Sequence, residues 1–411
     1  MNRELLKNLC LKDQTGIYGI PASAEDFDTN KVRYLRITDI SPDGNLLDND
    51  KKSVSSENIE KYILNDGDIV FARTGNSTGK TYYHESKNGI LAYAGFLIKY
   101  SLDPKKVNPK YLKYFTISNE YRTWVNNLSL GSTRGNINAQ TFSNCPILLP
   151  SRNQQDLLVS ILSSLDDKIE LNNRINSELE NLAKTIYDYW FVQFDFPDEN
   201  GTPYKSSGGK MVYNQELKRE IPAGWEVKLL GDIGKNIKNV IKQTDIDPEI
   251  SYIGLEHIPR KKIALDTWST AFDLASDKLS FTRRDILFGK LRPYFHKVGV
   301  AFISGVCSTD ILVLNSKKES YFGLFLMVVS SDNFINYVNL ATEGTRMPRT
   351  KWEFMKQYLL AVPKEDINQK FNDILKPLIS QMENNTYQNQ QLTQLRDWLL
   401  PMLMNGQITV K

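Results

Sequence analysis

The chain has few cysteines, few histidines and no long apolar run. Its three cysteines, Cys10, Cys145 and Cys307, are far apart and odd in number, which argues against a disulfide framework and favours a reducing compartment. The three histidines are also dispersed, and none lies near a cysteine, so no zinc-binding spacing exists. The longest apolar run, near 321–329, is too short to span a bilayer, and the charged N-terminal stretch does not resemble a signal peptide. We therefore expect a cytoplasmic protein with no metal and no membrane partner.

Catalytic motifs are absent as well. The segment Gly75-Asn-Ser-Thr-Gly79-Lys80-Thr81 resembles a phosphate-binding loop but is one residue short between its glycines. Residues 81–83 are typical of a strand, whereas a phosphate site needs a helix N-terminus at that point. The segment instead fits a turn that presents Arg73 and Lys80. No adenosylmethionine loop, methylase motif or nuclease cluster stands out, so we predict a protein without catalytic residues or a cofactor of its own.

The charge distribution says more than the net charge, which is only +3. Residues 1–150 contain 19 basic and 16 acidic side chains, and residues 196–363 contain 23 and 19. The intervening segment 151–195 is acidic, and residues 364–411 are neutral. A nucleic-acid surface needs local positive charge rather than a high overall charge, so the two basic blocks fit such a surface. Ordinary solvated surface charge would explain the same counts.

The chain consists of one unit written twice. Residues 34–40 (YLRITDI) match 252–258 (YIGLEHI) at an offset of 218, and residues 147–182 match 360–395 at a constant offset of 213. Apolar runs at 68–72 and 285–289 predict corresponding strands, and segments 110–118 and 320–330 predict helices. The fold class is therefore α+β, with two tandem mixed α/β domains. We place the domains at 1–150 and 225–363, the long helices at 151–195 and 364–411, and a connecting segment at 196–224.

The two helices carry apolar residues at steps of three and four, as in a heptad seam. Both have an asparagine at the same repeat position, Asn172 and Asn385, and a core asparagine fixes register in a coiled coil. Packing of each helix on its own domain is the alternative; the narrow seams favour pairing with each other. The predicted pairing residues are Ile161, Leu165, Ile169, Asn172, Ile175, Leu179, Leu182, Ile374, Leu378, Met382, Asn385, Leu392 and Leu395.

Connectivity predicts that the paired helices run antiparallel, with a pseudo-two-fold axis between the repeats. A helix of about 36 residues spans roughly 54 Å, which corresponds to about fifteen base pairs of duplex DNA. The candidate DNA contacts are basic and polar residues in turn-like segments, where arginine can bind guanine bidentately and lysine binds phosphates. They are Arg36, Arg73, Thr74, Lys80 and Arg134 in the first domain, and Arg260, Lys261, Lys290, Arg292, Arg346 and Arg349 in the second.

Several stretches together resemble the specificity subunits of type I restriction–modification enzymes. They are Tyr18–Phe27 with Tyr34–Ile40, Leu148–Gln155 through Ile161–Asp166 and Ile169–Ile175, Tyr187–Phe191 through Phe194–Phe196, Pro203–Tyr213 with Glu220–Glu226, and Leu395–Pro401 with Asn405–Ile408. The resemblance covers essentially the whole chain. The usual helix start in this family is Leu-Pro followed shortly by Glu-Gln, whereas here it is Asn153-Gln154-Gln155 in one copy and Asp366-Ile-Asn368 in the other.

The resemblance implies a division of labour. Each recognition domain would read one half of a split double-stranded DNA target, and the paired helices would set the unread gap. Two methyltransferase subunits would bind the chain and carry adenosylmethionine; whether a restriction subunit with ATP and Mg²⁺ also joins is left open. The rival hypotheses are an enzyme with its own active site, and a stand-alone DNA-binding protein or coiled-coil scaffold with no methyltransferase partner.

Overall fold

The computed structural model describes residues 2–48, 50–129, 136–340, 347–405 and 407. The chain divides into two compact units, residues 1–168 with 391–411 and residues 169–390. Each unit contains one mixed α/β block and a portion of each of two long helices. None of the helices in the described part of the chain is both long and apolar enough to cross a membrane.

The first block contains three sheets. Its strands are β1 (Asn2–Leu5), β2 (Cys10–Tyr18), β3 (Glu25–Asp26), β4 (Val32–Leu35), β5 (Lys52–Val54), β6 (Asp68–Ala72), β7 (Thr81–Tyr83), β8 (Leu91–Tyr93), β9 (Leu97–Leu102) and β10 (Pro146–Leu149), and its helices are α1 (Pro109–Phe115), α2 (Asn119–Ser129) and α3 (Ala139–Ser143). One four-stranded sheet has the order β2-β9-β6-β7 and is antiparallel; the other has the order β3-β5-β4-β8, with β4 and β8 parallel. Strands β1 and β10 form a third, antiparallel pair.

Strand β6 shows why this block needs an uninterrupted apolar run. Successive side chains of a strand point to opposite faces of the sheet. Ile69 and Phe71 pack in the core beside α1 and α2, whereas Val70 and Ala72 pack in a second core beneath the other four-stranded sheet. Because both faces are covered, the four residues after Asp68 are all apolar instead of alternating with polar ones.

Helix α4 (Arg152–Tyr187) begins directly after this block and continues into a single π-helical turn, Asp188–Val192. A reciprocal capping box defines its start, because Ser151 Oγ accepts from the Gln154 N–H while Gln154 Oε1 accepts from the Ser151 N–H at 3.1 Å. The buried Gln155 donates to the carbonyl of Pro150 at 2.9 Å.

The second block repeats the first. Its strands are β11 (Met211–Asn214), β12 (Arg219–Pro222), β13 (Glu226–Leu229), β14 (Gly234–Ile237), β15 (Val240–Ile241), β16 (Ser251–Ile253), β17 (Ser269–Thr270), β18 (Lys278–Phe281), β19 (Ile286–Gly289), β20 (Val298–Val300), β21 (Gly305–Cys307), β22 (Ile311–Ser316) and β23 (Leu359–Val362), and its helices are α5 (Leu230–Ile233), α6 (Phe322–Val329), α7 (Asp332–Leu340) and α8 (Trp352–Met355). The sheet β14-β22-β19-β20 corresponds to β2-β9-β6-β7, and the parallel pair β16–β21 corresponds to β4–β8. Strands β13 and β23 pair as β1 and β10 do, while β11 and β12 form a hairpin in the connecting segment. The strands expected at 68–72 and 285–289 and the helices expected at 110–118 and 320–330 are confirmed.

Helix α9 (Glu365–Met404) begins after β23 and closes the repeat. Asn368 donates to the carbonyl of Pro363 at 3.4 Å, in the place where Gln155 donates to Pro150 in the first copy. The unusual helix starts noted in the sequence therefore share one buried amide contact, made by glutamine in one copy and asparagine in the other.

Polar side chains join α4 to α9 in the second unit. Asn172 Nδ2 donates to Gln388 Oε1 at 2.7 Å and to Asn389 Oδ1 at 2.8 Å, and Asn385 Nδ2 donates to Asn176 Oδ1 at 2.8 Å. Residue numbers rise along one helix as their partners' numbers fall along the other, so these segments run antiparallel. We call these five residues the amide seam.

The predicted heptad seam is wrong at three positions. Leu182, Ile374 and Leu395 are 46%, 38% and 43% exposed. On α9, Leu375 and Ile379 pack into the core of the second block, which leaves the neighbouring Ile374 exposed, while Asn385 contacts α4. The alternative of each helix packing on its own domain thus describes Leu375 and Ile379, whereas Leu400 and Met404 at the end of α9 are buried in the core of the first block. Of the other predicted positions, Met382 is buried in that core, and the following are partly buried: Ile161, Leu165, Ile169, Ile175, Leu179, Leu378 and Leu392.

Candidate nucleic-acid interface

A tight turn, residues 73–80, joins β6 to β7. Gly79 has a left-handed φ of +84°, and a Cβ there would lie 2.5 Å from Val125 Cγ1, so only glycine fits. The next residue but one, Thr81, already belongs to β7 and donates through its Oγ1 to Thr116 Oγ1 at 2.7 Å inside the block. The glycine-rich segment is therefore a turn between strands, as predicted, and it lacks the following helix that a phosphate-binding loop requires.

Arg73 lies at the first position of this turn and is held by its backbone and its side chain. Its N–H donates to the carbonyl of Phe96 at 3.0 Å, and its own carbonyl accepts from the N–H of Ile137 at 2.9 Å. The guanidinium carbon lies 5.0 Å from the centre of the Tyr18 ring, and both Nε and Nη2 lie 3.4 Å from Asn136 Oδ1. The half-buried guanidinium thus has a defined plane and a defined orientation.

Lys290 occupies the same place in the second unit. Its N–H donates to the carbonyl of Asp310 at 2.9 Å, and its carbonyl accepts from the N–H of Thr350 at 3.0 Å. The offsets between these residues and their counterparts around Arg73 fall within the range found in the sequence repeat. We call this pair of backbone hydrogen bonds, present around residue 73 and residue 290, the backbone frame.

The side chains on the two copies of this frame differ. An isolated β-bridge joins Thr74 to Asn136 in the first unit, and an equivalent bridge joins Leu291 to Arg349 in the second. The first copy therefore carries Arg73 with an asparagine at the bridge, and the second carries Lys290 with an arginine at the bridge. Identical backbone support with unlike side chains is what two readers of different base sequences require.

The second copy carries two further predicted residues. Arg349 is exposed, and its Nε donates to Asp310 Oδ1 at 3.0 Å. Arg292 has a left-handed φ of +50°, and its N–H donates to the carbonyl of Pro348 at 2.8 Å. Among the residues that the structure describes, the buried Nε of Arg292 has no hydrogen-bond partner.

In the first block, two residues predicted to contact DNA form hydrogen bonds to neighbouring groups of the protein. Arg36 forms a two-bond contact with the buried Asp39, Nε to Oδ2 at 3.0 Å and Nη2 to Oδ1 at 2.7 Å, and this contact raises the pKa of Arg36. The forked edge that would bind guanine is therefore occupied by a carboxylate. Lys80 Nζ donates to the carbonyl of Ile40 at 3.3 Å and remains partly exposed.

In the second block, two more of the residues predicted to contact DNA lie outside the backbone frame. The exposed Arg260 stacks on the ring of Phe295, with its guanidinium carbon 4.2 Å from the ring centre. The exposed Lys261 donates to Asp332 Oδ1 at 3.2 Å and has a φ of +58°. Arg134 and Arg346 lie outside the described residues, and their DNA contacts stay predictions.

Sequence reasoning missed Tyr18 and Asn136. Tyr18 ends β2, and its hydroxyl accepts from the N–H of Ala139 at 3.2 Å, so its ring is fixed beneath Arg73. The signal that could have found Asn136 is the offset of 213, which places it opposite Arg349 when the aligned segment is extended backward. Tyr18 has no comparable signal, because its contact with Arg73 is made across the fold.

Buried carboxylates attach the second block to the long helices. Glu180 Oε1 on α4 accepts from the N–H groups of Ile263 and Ala264 at 3.1 and 2.9 Å, and burial raises the pKa of Glu180. Glu383 on α9 accepts from Arg283 and Arg284, through Nη2 of each, at 2.8 and 2.9 Å. These contacts fix the block that carries Lys290 and Arg349 to the helix segments of its own unit.

Asp166 is one of the carboxylates that attach the first block to the long helices. Asp166 on α4 accepts from Lys113 Nζ at 2.7 Å, from the Tyr114 hydroxyl at 3.0 Å and from Arg396 Nη1 on α9 at 3.3 Å. Burial alone would raise the pKa of Asp166, but the Lys113 and Arg396 cations outweigh it and the pKa is lowered.

The remaining reactive side chains do not converge. Burial raises the pKa of Cys10 and of Cys307 to about 12, so both thiols stay protonated at neutral pH. Burial also lowers the pKa of His84, His257 and His296. Within the described ranges, no group of three or more His, Cys, Asp or Glu side chains is placed to hold a metal ion.

The family model described as type I restriction modification DNA specificity domain matches residues 17–181 and 222–394. The chain belongs to this family. The two matched regions contain the two blocks and most of both long helices, so the resemblance seen in the sequence is confirmed, as is the fold class of two tandem mixed α/β specificity domains with long helices.

Relatives in the family match over most of their length. The specificity subunit of type I restriction enzyme MjaIX from Methanocaldococcus jannaschii is 27% identical over 80% of this chain and 76% of its own length. The HindI specificity subunit from Haemophilus influenzae is 23% identical over 85% of this chain and 88% of its own. The crystal structure of a type I S subunit from M. genitalium shares the fold, with a TM-score of 0.53 and 14% identity over 98% of this chain and 95% of that one.

Proposed function

We propose that this chain is the non-catalytic, sequence-reading subunit of a type I restriction–modification complex, and that each α/β block reads one half of a bipartite target in double-stranded DNA. The observation that carries the proposal is the backbone frame, which occurs once per unit with different side chains. Because the frame carries Arg73 in one copy and Lys290 in the other, with Asn136 and Arg349 at the respective bridges, the two half-sites would differ in sequence.

The long helices have a second role in this proposal. Their antiparallel contacts, the amide seam in one unit and Asp166 with Arg396 in the other, would set the length of the unread gap between the half-sites. The repeat also presents equivalent surfaces twice, which suits two copies of one methyltransferase subunit. Adenosylmethionine would bind to those subunits, and ATP and Mg²⁺ to a restriction subunit where one joins.

The test is a methylation map. The chain is co-expressed with the methyltransferase encoded beside it in a host free of adenine methylation, and genomic DNA is sequenced for modified adenine. The expected result is a split motif with a fixed gap, methylated only when both proteins are present. Hosts carrying either protein alone are the controls.

Other outcomes identify the rivals. Methylation by this chain alone would show an enzyme with its own active site. Sequence-specific DNA binding without a stable complex with the methyltransferase would identify a stand-alone DNA-binding protein. A stable complex that methylates no motif would contradict the proposed function.

A further inference from the structure

Arg73 and the amide nitrogen of Asn136 together form a surface of hydrogen-bond donors. A guanidinium has no acceptor, so the atom of Asn136 that faces it must be the amide oxygen, and the amide nitrogen of Asn136 is left as a donor. Asp39 neutralises Arg36 and Asp310 neutralises Arg349. Within the described ranges, by contrast, Arg73 has no carboxylate partner.

The orientation of this donor surface is fixed before any ligand binds. Tyr18 supports one face of the guanidinium, its own hydroxyl is held by the N–H of Ala139, and Asn136 takes up the Nε and Nη2 groups. An arginine side chain held on two sides loses little conformational entropy when it binds. The remaining N–H groups are therefore presented in a defined direction.

We propose that Arg73 reads a guanine in the half-site of the first domain, and that Tyr18 and Asn136 are positioning residues for it; this inference rests on the proposed function. Guanine presents two acceptors, O6 and N7, to the major groove, and these match a donor-only fork. Adenine presents a donor beside N7 at the same place, so it would oppose the fork. A phosphate also accepts hydrogen bonds, and the experiment separates it from guanine.

The experiment uses the complete methyltransferase complex and duplexes carrying its mapped motif. Each guanine of the two half-sites is replaced in turn by 7-deazaguanine, which lacks only the N7 acceptor, and the dissociation constant is measured. With the wild-type chain we expect about a tenfold loss of affinity at one guanine, corresponding to about 1.4 kcal/mol. With Arg73→Ala, the same replacement should cause no further loss, because the contact has already been removed.

Salt dependence distinguishes a base contact from a phosphate contact. The slope of log affinity against log salt is negative, and removing a phosphate contact reduces its magnitude by about 0.9. We expect Arg73→Ala to leave this slope unchanged and to leave discrimination in the other half-site intact. Arg3→Ala, an exposed arginine paired with Glu120 on the same block, is the matched control and should change neither quantity.

The positioning residues are tested by the same discrimination rather than by affinity alone. Tyr18→Ala should reduce the 7-deazaguanine effect, and Tyr18→Phe should restore it because the ring is retained. Asn136→Ala should also reduce it. Loss of affinity in these variants with the full 7-deazaguanine effect would mean that both residues are merely structural.

Two failures can be told apart. If the wild-type complex methylates no split motif, the proposed function itself fails. If it does methylate one, but no guanine in the first half-site responds to both N7 removal and Arg73→Ala, only the assignment of Arg73 is overturned. A smaller magnitude of the salt slope in Arg73→Ala would show that the residue contacts a phosphate instead.

Discussion

The amide seam allows a direct test of how the two long helices recognise each other. Asn385 and Asn176 are 5% and 8% exposed, and Asn385 Nδ2 donates to Asn176 Oδ1 at 2.8 Å. The change Asn385→Leu leaves the Asn176 oxygen buried without its donor. A buried polar group deprived of its partner costs about 1–3 kcal/mol.

The paired change should cost less than the single ones. In Asn176→Leu with Asn385→Leu, both amides are replaced by apolar side chains, and such a replacement is often close to neutral. We therefore expect each single variant to lower the free energy of unfolding by about 1–3 kcal/mol and the double variant to recover most of that loss. In a unit of 150–250 residues, the single variants should lower Tm by about 2–12 °C.

The measurement is a double-mutant cycle in urea, followed by tryptophan fluorescence. Trp190 and Trp225 lie in the core of the second unit and report on its unfolding. Asn181→Leu, an exposed position on the same helix, is the matched control and should change stability by less than about 0.5 kcal/mol. Strictly additive effects of Asn176→Leu and Asn385→Leu would refute the reasoning, because they would show that the two amides are not coupled.

Three further predictions concern the carboxylates and the helix length. The raised pKa of Glu180 means that its charged form opposes folding, so the free energy of unfolding should fall as pH rises above 4.5. Glu180→Gln should abolish this fall, whereas Glu178→Gln, at an exposed position, should not. Denaturation curves from pH 4 to 8 that coincide for the wild type and Glu180→Gln would contradict this prediction. The pKa of Asp166 is lowered, so its charged form favours folding, and Asp166→Asn should reduce the free energy of unfolding by about 2 kcal/mol at pH 7. In urea titrations, the difference between this variant and the wild type should shrink as pH falls below 3.8. A difference that stays constant with pH would argue against an effect of charge. Deleting one heptad from both α4 and α9 removes about 10 Å of helix and should shorten the methylated gap by about three base pairs; an unchanged gap would disprove the role of the helices as a spacer.

The architecture could be predicted from the sequence because the residues that match between the two repeats are residues on which the fold depends. After an initial aspartate, the runs at 68–72 and 285–289 are apolar because each strand is covered on both faces, and that pattern can be recognised in the sequence alone. Helices α4 and α9 could likewise be predicted from the length and periodicity of their apolar pattern. The start of α4 at Arg152 is one residue beyond the boundary placed at 151.

The contacts that the helices make were harder to predict. Spacing in steps of three and four marks an apolar stripe but not its partner, and α9 uses Leu375 and Ile379 against its own block rather than Ile374 against α4. Asn172 and Asn385 were both identified, at equivalent repeat positions, but their partners differ: Asn172 donates to Gln388 and Asn389, and Asn385 donates to Asn176.

The interface residues were partly predictable for a different reason. The repeat selected Arg73 and Lys290, whose backbone groups occupy equivalent places. It could not show that Asp39 already binds the fork of Arg36, because that contact depends on the path of a short 3₁₀ turn, residues 37–39. The stacking of Arg73 on Tyr18 likewise arises only when β2 and β6 are brought into one sheet.

The backbone frame has a consequence for how this protein can change over time. The hydrogen bonds that hold residues 73 and 290 in place use only main-chain N–H and carbonyl groups, which every residue except proline supplies in full. A mutation that replaces the side chain at either position therefore leaves the scaffold intact and alters only what is presented to the ligand. New sequence preferences can arise by single substitutions at little loss of stability, and each half of the recognised site can diverge independently of the other.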